Sequence, residues 1–229
     1  MKTVGVIGGM SWTSTAEYYR LLNEGVARRL GGLHSARLLL HSVDFAEVAA
    51  MQSQGRWDEA GQLLADAARG LERAGAGALL LATNTMHKVA PAIEAATDLP
   101  LIHIADTTAR AIRVAGLTRV GLLATAFTME QDFYRERLAS HGVEALVPDE
   151  PGRAEVHRVI YDELCRGVVR AESRGRYREV MADLVARGAQ GMVLGCTEIT
   201  LLVSADDTSV PVFDTTALHV AAALDWLLG

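Results

Sequence analysis

Cysteine is scarce in this chain of 229 residues: the two present, Cys165 and Cys196, cannot form a disulfide framework. Proline is scarce too, at five residues, and no low-complexity tract or long polar linker interrupts the chain. Positive charge is in deficit, with 22 Lys and Arg against 28 Asp and Glu and a net charge of −6. That balance argues against nucleic-acid binding, which wants a basic face to displace phosphate counterions. No apolar run approaches the roughly 18–20 residues of a membrane span. The chain enters Val4-Gly5-Val6-Ile7-Gly8-Gly9 at once, too early and too strand-like for a secretory signal. The histidines at 34, 41, 103, 141, 157 and 219 lack metal-ligand spacing, and no H-E-x-x-H occurs. Gly5-Val6-Ile7-Gly8-Gly9-Met10-Ser11 lacks the G-x-G-x-x-G spacing of a dinucleotide site, and no G-K-[ST] loop exists. These absences leave a cytoplasmic globular protein with no metal or membrane partner.

Apolar residues make up 50% of the chain and charged residues 22%, enough to bury a sizeable core. Strands are expected at 3–8, 37–42, 78–82, 101–104, 119–124, 191–194 and 211–213. Most read as continuously apolar, the mark of strands covered on both faces. Between them lie helical patterns: Ser14-Thr15-Ala16-Glu17 and Thr128-Met129-Glu130-Gln131 read as capping boxes. Trp57 to Ala74 and Tyr177 to Arg187 repeat apolar residues at helical spacing before Gly75 and Gly188. The fold class is α/β, with parallel sheets flanked by helices.

An internal repeat divides the chain. Val4-Gly5-Val6-Ile7 matches Val120-Gly121-Leu122-Leu123, and Ala78-Leu79-Leu80-Leu81-Ala82-Thr83 matches Gly191-Met192-Val193-Leu194-Gly195-Cys196. A third pair sets Leu99-Pro100-Leu101-Ile102 and Asp106-Thr107-Thr108-Ala109 against Val210-Pro211-Val212-Phe213 and Asp214-Thr215-Thr216-Ala217. Three blocks in one order predict two similar doubly wound lobes related by a pseudo-two-fold axis. We place the first lobe at 1–98 plus 211–229 and the second at 99–210. Thr83 and Cys196 then hold equivalent positions past a strand's carboxyl end, where ligands sit in open α/β sheets.

Cys196 is the one residue type here able to act as a soft base or strong nucleophile at such a turn. A helix opening at Thr197 would favour its thiolate, whereas Glu198 would oppose it; a buried small hydrophobe is the plain alternative. Cys165, within a helical stretch, reads as structural. Thr83-Asn84-Thr85-Met86-His87 is dense in hydrogen-bonding groups, suited either to carboxylate and amine binding or to ordinary helix capping. His87 reads as a proton shuttle or as a satisfied helix residue. The turn at Met10 and Ser11 could offer backbone N–H groups to a small anion or serve structure alone.

Together, Gly8-Gly9-Met10-Ser11-Trp12, Thr83-Asn84-Thr85-Met86-His87, Leu123-Ala124-Thr125 with Thr128-Met129, and Gly195-Cys196-Thr197-Glu198 resemble the aspartate/glutamate racemase superfamily. The likeness is greatest to bacterial racemases specific for L-aspartate and L-glutamate, in which threonine replaces the first catalytic cysteine. The resemblance implies two α/β lobes with the substrate in the cleft between them, no cofactor, and a homodimer. It implies that one thiol removes the α-proton and a second group returns one from the opposite face. By position these are Cys196 and Thr83. Asn84, Thr85, Thr125, Thr197 and Glu198 are expected around the amino-acid substrate, with Met10 and Ser11 meeting a carboxylate. Gln52 stands where relatives often carry arginine, which removes a bidentate carboxylate clamp. Arg166 stands near a position often filled by lysine, and Arg56 could compensate. A threonine hydroxyl can donate to a carbanion but supplies no alkoxide near neutrality, so turnover is expected to be slow or biased in direction. A single-cysteine decarboxylase or lyase of the same superfamily, and an amino-acid-binding protein that has lost catalysis, remain as alternatives.

Overall fold

The computed structural model describes residues 1–229. They divide into two compact units, Met1–His103 with His219–Gly229, and Ile104–Leu218. The first unit runs β1 (Val4–Gly8), α1 (Trp12–Leu30), β2 (Leu38–Ser42), α2 (Phe45–Ser53), α3 (Trp57–Arg73), β3 (Ala78–Leu81), a 3-10 turn (Thr85–Val89), α4 (Ala90–Glu94) and β4 (Leu101–Ile102). The second runs α5 (Ile104–Val114), β5 (Arg119–Leu123), α6 (Ala126–Glu130), α7 (Asp132–Ser140), β6 (Glu144–Leu146), α8 (Glu150–Asp162), a 3-10 turn (Leu164–Arg166), α9 (Ala171–Ala186) and β7 (Met192–Leu194). Two further 3-10 turns (Thr197–Leu201 and Ala205–Asp207), β8 (Val212–Asp214) and α10 (Thr215–Leu228) follow. From His219 onward α10 belongs to the first unit.

Each unit holds one parallel four-stranded sheet, ordered β2-β1-β3-β4 and β6-β5-β7-β8. The apolar runs of β1 and β3 are buried at every position because layers cover both faces. Ile7, Leu79 and Leu81 pack with Leu64, Ala68 and Leu71 of α3. Alternate residues Val4, Val6 and Leu80 pack instead with Tyr18, Leu22 and Val26 of α1 and Val220, Ala223 and Leu224 of α10. In the second unit one continuous core joins Val120, Leu122, Val193 and Leu194 to Leu138, Val159, Tyr177 and Leu184. Each such fully buried Leu or Val contributes about 1.5–3 kcal/mol through removal from water.

Several sequence expectations shift by a few residues, for local reasons. The lobe crossovers fall at 103/104 and 218/219 rather than at 98/99 and 210/211. Pairing decides this: Leu101 and Ile102 bond to β3, while Val212–Asp214 bond to β7, so each edge strand stays with the sheet that precedes it. The cap of α1 is Ser11 rather than Ser14, its hydroxyl accepting from the Ser14 N–H at 3.2 Å. Thr125 caps α6, and the chain breaks at Gln131 before α7, so the expected box at Thr128 lies inside a short helix. Strand β6 was not foreseen: it is a three-residue edge strand whose Glu144 is exposed and pairs with Arg119 at 2.7 Å.

Candidate active site

Register gives the two units a common frame. Gly5 pairs with Leu79 and Leu79 with Leu101; Gly121 pairs with Met192 and Met192 with Val212. The ladders end alike, the Ala82 N–H donating to the Ile7 carbonyl at 2.9 Å and the Gly195 N–H to the Leu123 carbonyl at 2.7 Å. One residue further on stand Thr83 and Cys196, which makes them equivalent by hydrogen-bond register as well as by sequence. The turns then diverge. The first 3-10 bond runs from His87 N–H to the Asn84 carbonyl, but from Ile199 N–H to the Cys196 carbonyl, so the turn at Thr83 is one residue longer.

In the first unit, β1 ends in a tight turn that only glycine fits. A Cβ on Gly9, at φ +96°, would lie 2.2 Å from the Val43 carbonyl oxygen. The Gly9 N–H donates to the Thr15 hydroxyl at 2.8 Å. Met10 is buried and Ser11 half-buried, its hydroxyl engaged in capping α1. Beyond β3, the Thr83 N–H donates to the Leu81 carbonyl at 2.8 Å, turning the chain. Thr83 is half-buried, while Asn84 and Thr85 are buried. Gln52 of α2 is buried against the same turn, its amide donating to Met86 Sδ at 3.0 Å. His87 donates from Nδ1 to the Thr83 carbonyl at 2.7 Å. Its ring lies 4.4 Å from that of His103 and 5.9 Å from that of His219.

In the second unit the Cys196 thiol donates to Glu198 Oε2 at 3.0 Å. Burial, and then the Glu198 carboxylate beside it, push the thiol well above its ordinary range. Burial and the acidic neighbour thus outweigh the N–H groups of the 3-10 turn and favour the protonated thiol over the thiolate. Glu198 is itself buried. Thr197 accepts from the Thr216 hydroxyl at 3.4 Å, and Thr215 donates to the Leu194 carbonyl at 2.9 Å, tying α10 to the end of β7. Thr125 is buried at the end of β5, its hydroxyl 3.3 Å from that of Thr128. Arg166 is exposed on the Leu164–Arg166 turn, and Arg56 of the first unit pairs with Glu59 at 2.8 Å. No cluster of three or more His, Cys, Asp or Glu side chains is placed to hold a metal ion.

Residues 7–223 match the family described as Asp/Glu/hydantoin racemase. The chain belongs to this racemase family. A solved candidate Asp/Glu racemase from Yersinia pestis is 55% identical with a TM-score of 0.95, and 100% of each chain is covered. An aspartate racemase homologue from Pyrococcus horikoshii OT3 is 32% identical with a TM-score of 0.87, again over 100% of both chains. Glutamate racemase from Francisella tularensis, solved with D-glutamate, is 15% identical with a TM-score of 0.70. It covers 99% of this chain and 81% of its own, and at that identity the likeness is one of fold. Family membership makes racemase-type chemistry the frame for the site.

Two side chains to which the sequence assigns no role at the site, Tyr161 and Cys165, lie near Cys196, and a third, His157, lies beside Tyr161. Tyr161 and Cys165 share its electrostatic neighbourhood with Glu198: burial and these groups raise the Tyr161 hydroxyl, and burial with Glu198 pushes Cys165 up to about 12. His157, one helical turn before Tyr161 with rings 4.7 Å apart, accepts from the Ala126 N–H at 3.1 Å, next to Thr125. Burial lowers its pKa. The i, i+4 spacing of His157 and Tyr161 was the available signal. Cys165 offered none, being one thiol in a helical stretch.

Proposed function

We propose that this protein is a cofactor-independent racemase of an acidic amino acid, glutamate or aspartate, with Cys196 as thiol base and acid and Thr83 acting on the opposite face of Cα. The observation that carries this reading is the thiol–carboxylate pair of Cys196 and Glu198 at the turn equivalent to Thr83. An unperturbed thiol titrates near about 8.5, so a carboxylate that receives its proton lets sulfur act as a base at neutral pH. Glu198 takes the Cys196 proton, and the thiolate removes the α-hydrogen of the L enantiomer, leaving its electron pair delocalised into the substrate carboxylate. The Thr83 hydroxyl gives its proton to the other face, and solvent water relays the proton held on Glu198 to the resulting alkoxide, so that Cys196, Glu198 and Thr83 all return to their starting states. Asn84, Thr85, Thr125 and Thr197 supply hydrogen bonds to the substrate amino and carboxylate groups, and Met10 and Ser11 supply backbone N–H groups. Gln52 and Arg166 bear on the substrate side chain. The homodimer implied by the resemblance belongs to the same reading.

Enantiomers have equal free energy, so kcat/KM is the same in both directions whatever the donors. An imbalance between thiol and alcohol therefore surfaces elsewhere. Hydrogen exchange at Cα of the L substrate, which needs Cys196 alone, outruns inversion, which also needs Thr83. The test is incubation with L- and D-glutamate and L- and D-aspartate in deuterated water, followed by NMR and chiral analysis. Exchange of L substrate ahead of inversion, lost in Cys196→Ser, is the expected result; neither exchange nor inversion for any acidic amino acid rejects the proposal. Release of carbon dioxide from a malonate without amino-acid exchange would favour the single-cysteine decarboxylase. Saturable binding without exchange would favour the lapsed binding protein.

A further inference from the structure

We propose that His87 is a positioning residue for Thr83: its Nδ1–H grips the Thr83 carbonyl and thereby aims the Thr83 hydroxyl. The inference rests on the racemase reading above for what the hydroxyl does, but its geometry stands alone. The longer turn after β3 is what creates the need. In the second unit the carbonyl of Cys196 enters the 3-10 hydrogen-bond pattern through Ile199 N–H, whereas in the first unit that place goes to Asn84 and its partner is His87 N–H. The Thr83 carbonyl is reached instead by the His87 ring at 2.7 Å, while the Thr83 N–H is held by Leu81 at 2.8 Å. Both sides of the residue are thus fixed, and one of the two anchors is a side chain.

A carbonyl only accepts, so the proton of His87 sits on Nδ1. The ring is held in that orientation by its surroundings. It is buried, edge-on to His103, and near His219. His219 is in turn fixed at both nitrogens: Nε2 donates to the Ile102 carbonyl at 2.5 Å and Nδ1 accepts from the Tyr18 hydroxyl at 2.8 Å. A cluster of edge-on imidazoles therefore backs the turn that carries Thr83. A hydroxyl returning a proton to carbon must be aligned closely, and displacement by about 1 Å can cost on the order of 100-fold.

Two polar variants separate positioning from bulk. In His87→Asn the amide nitrogen falls near the place of Nδ1, and in His87→Gln near that of Nε2. The ratio of L-glutamate inversion to L-glutamate Cα exchange is measured for each, with thermal melts beside it. His87→Gln is expected to lower that ratio by about 10-fold or more, and His87→Asn to recover most of the loss. Equal ratios in wild type and His87→Gln, or equal losses in the two variants, would overturn the inference. Nitrogen-15 spectra of the wild-type histidines give a readout independent of turnover. An Nε2-protonated His87 overturns the inference even in an active enzyme. An Nδ1-protonated His87 in a protein that neither exchanges nor inverts acidic amino acids upholds the grip on Thr83 and overturns the racemase reading instead.

Discussion

The thiol of Cys196 points at the carboxylate of Glu198, Sγ to Oε2 at 3.0 Å, with the two residues straddling Thr197 at the head of a 3-10 turn. Burial first, and then the charge of Glu198, raise the thiol; in the proposed mechanism that carboxylate receives the thiol proton.

Glu198→Gln separates these two effects. Removing the charge takes away two of the influences that raise the thiol, so the Cys196 pKa falls while burial still holds it above its ordinary value. Alkylation of Cys196 by iodoacetamide then sets in at lower pH than in wild type. Cα exchange nonetheless drops by about 100-fold or more, because the proton acceptor is gone. A Glu198 that only bound substrate would shift the alkylation profile in the same way but raise KM and leave exchange at saturating substrate nearly intact.

Thr83→Cys restores an ionisable group on the second face. Inversion should rise about 10-fold or more, with kcat/KM increasing equally for L- and D-glutamate and exchange of the L substrate little altered. Thr83→Ala should abolish inversion and leave exchange. Polarimetry and deuterium incorporation on the same samples check both variants.

Burial, with His103 nearby, lowers His219 to about 4, although its hydrogen bond to the Ile102 carbonyl works the other way. Its ordinary value is 6.5, so the unfolded chain binds this proton at a higher pH than the folded one. Stability from keeping the ring neutral is complete above pH ~6.5 and declines as pH falls toward ~4, by up to about 3 kcal/mol. Urea midpoints between pH 7 and 5 should fall more steeply in wild type than in His219→Gln, whatever that variant loses at pH 7.

Asp207 lies at the start of the Ala205–Asp207 turn's return to β8, buried, with Arg174 at 2.8 Å and Arg178 at 2.5 Å. The Arg174 guanidinium foremost holds its carboxyl well below the usual carboxylate range, against the opposing effect of burial. Asp207→Asn should cost about 2 kcal/mol, discounted from a fully buried pair because both arginines are partly exposed. The urea midpoint should shift with an unchanged m-value.

The repeat was legible because it is written in buried strands, where register and sequence say the same thing: Gly5, Thr83 and Leu101 line up with Gly121, Cys196 and Val212 by either route. Glu144-Ala145-Leu146 was not legible, since a three-residue edge strand with an exposed glutamate carries neither apolar continuity nor strong β propensity. The lobe boundaries were misplaced because a Pro-apolar block such as Val210-Pro211-Val212-Phe213 does not announce which sheet it will join; pairing with Met192 and Val193 does. At the site, residue types pointed to Cys196, Glu198 and His87. Their partners depended on turn lengths that sequence does not fix: one residue more at Thr83 draws in the His87 ring, and two residues' separation brings Glu198 onto the sulfur.

The first unit's inner layer joins Val4, Val6, Tyr18 and Leu22 to Val220, Ala223, Leu224 and Leu227, which lie beyond the whole of the second unit in the chain. On the ribosome the N-terminal half therefore emerges without one of its walls, and the intervening half is complete before that wall is made. A chain truncated after residue 218 would lack Val220, Ala223, Leu224 and Leu227 and leave the apolar flank of Val4, Val6, Tyr18 and Leu22 uncovered.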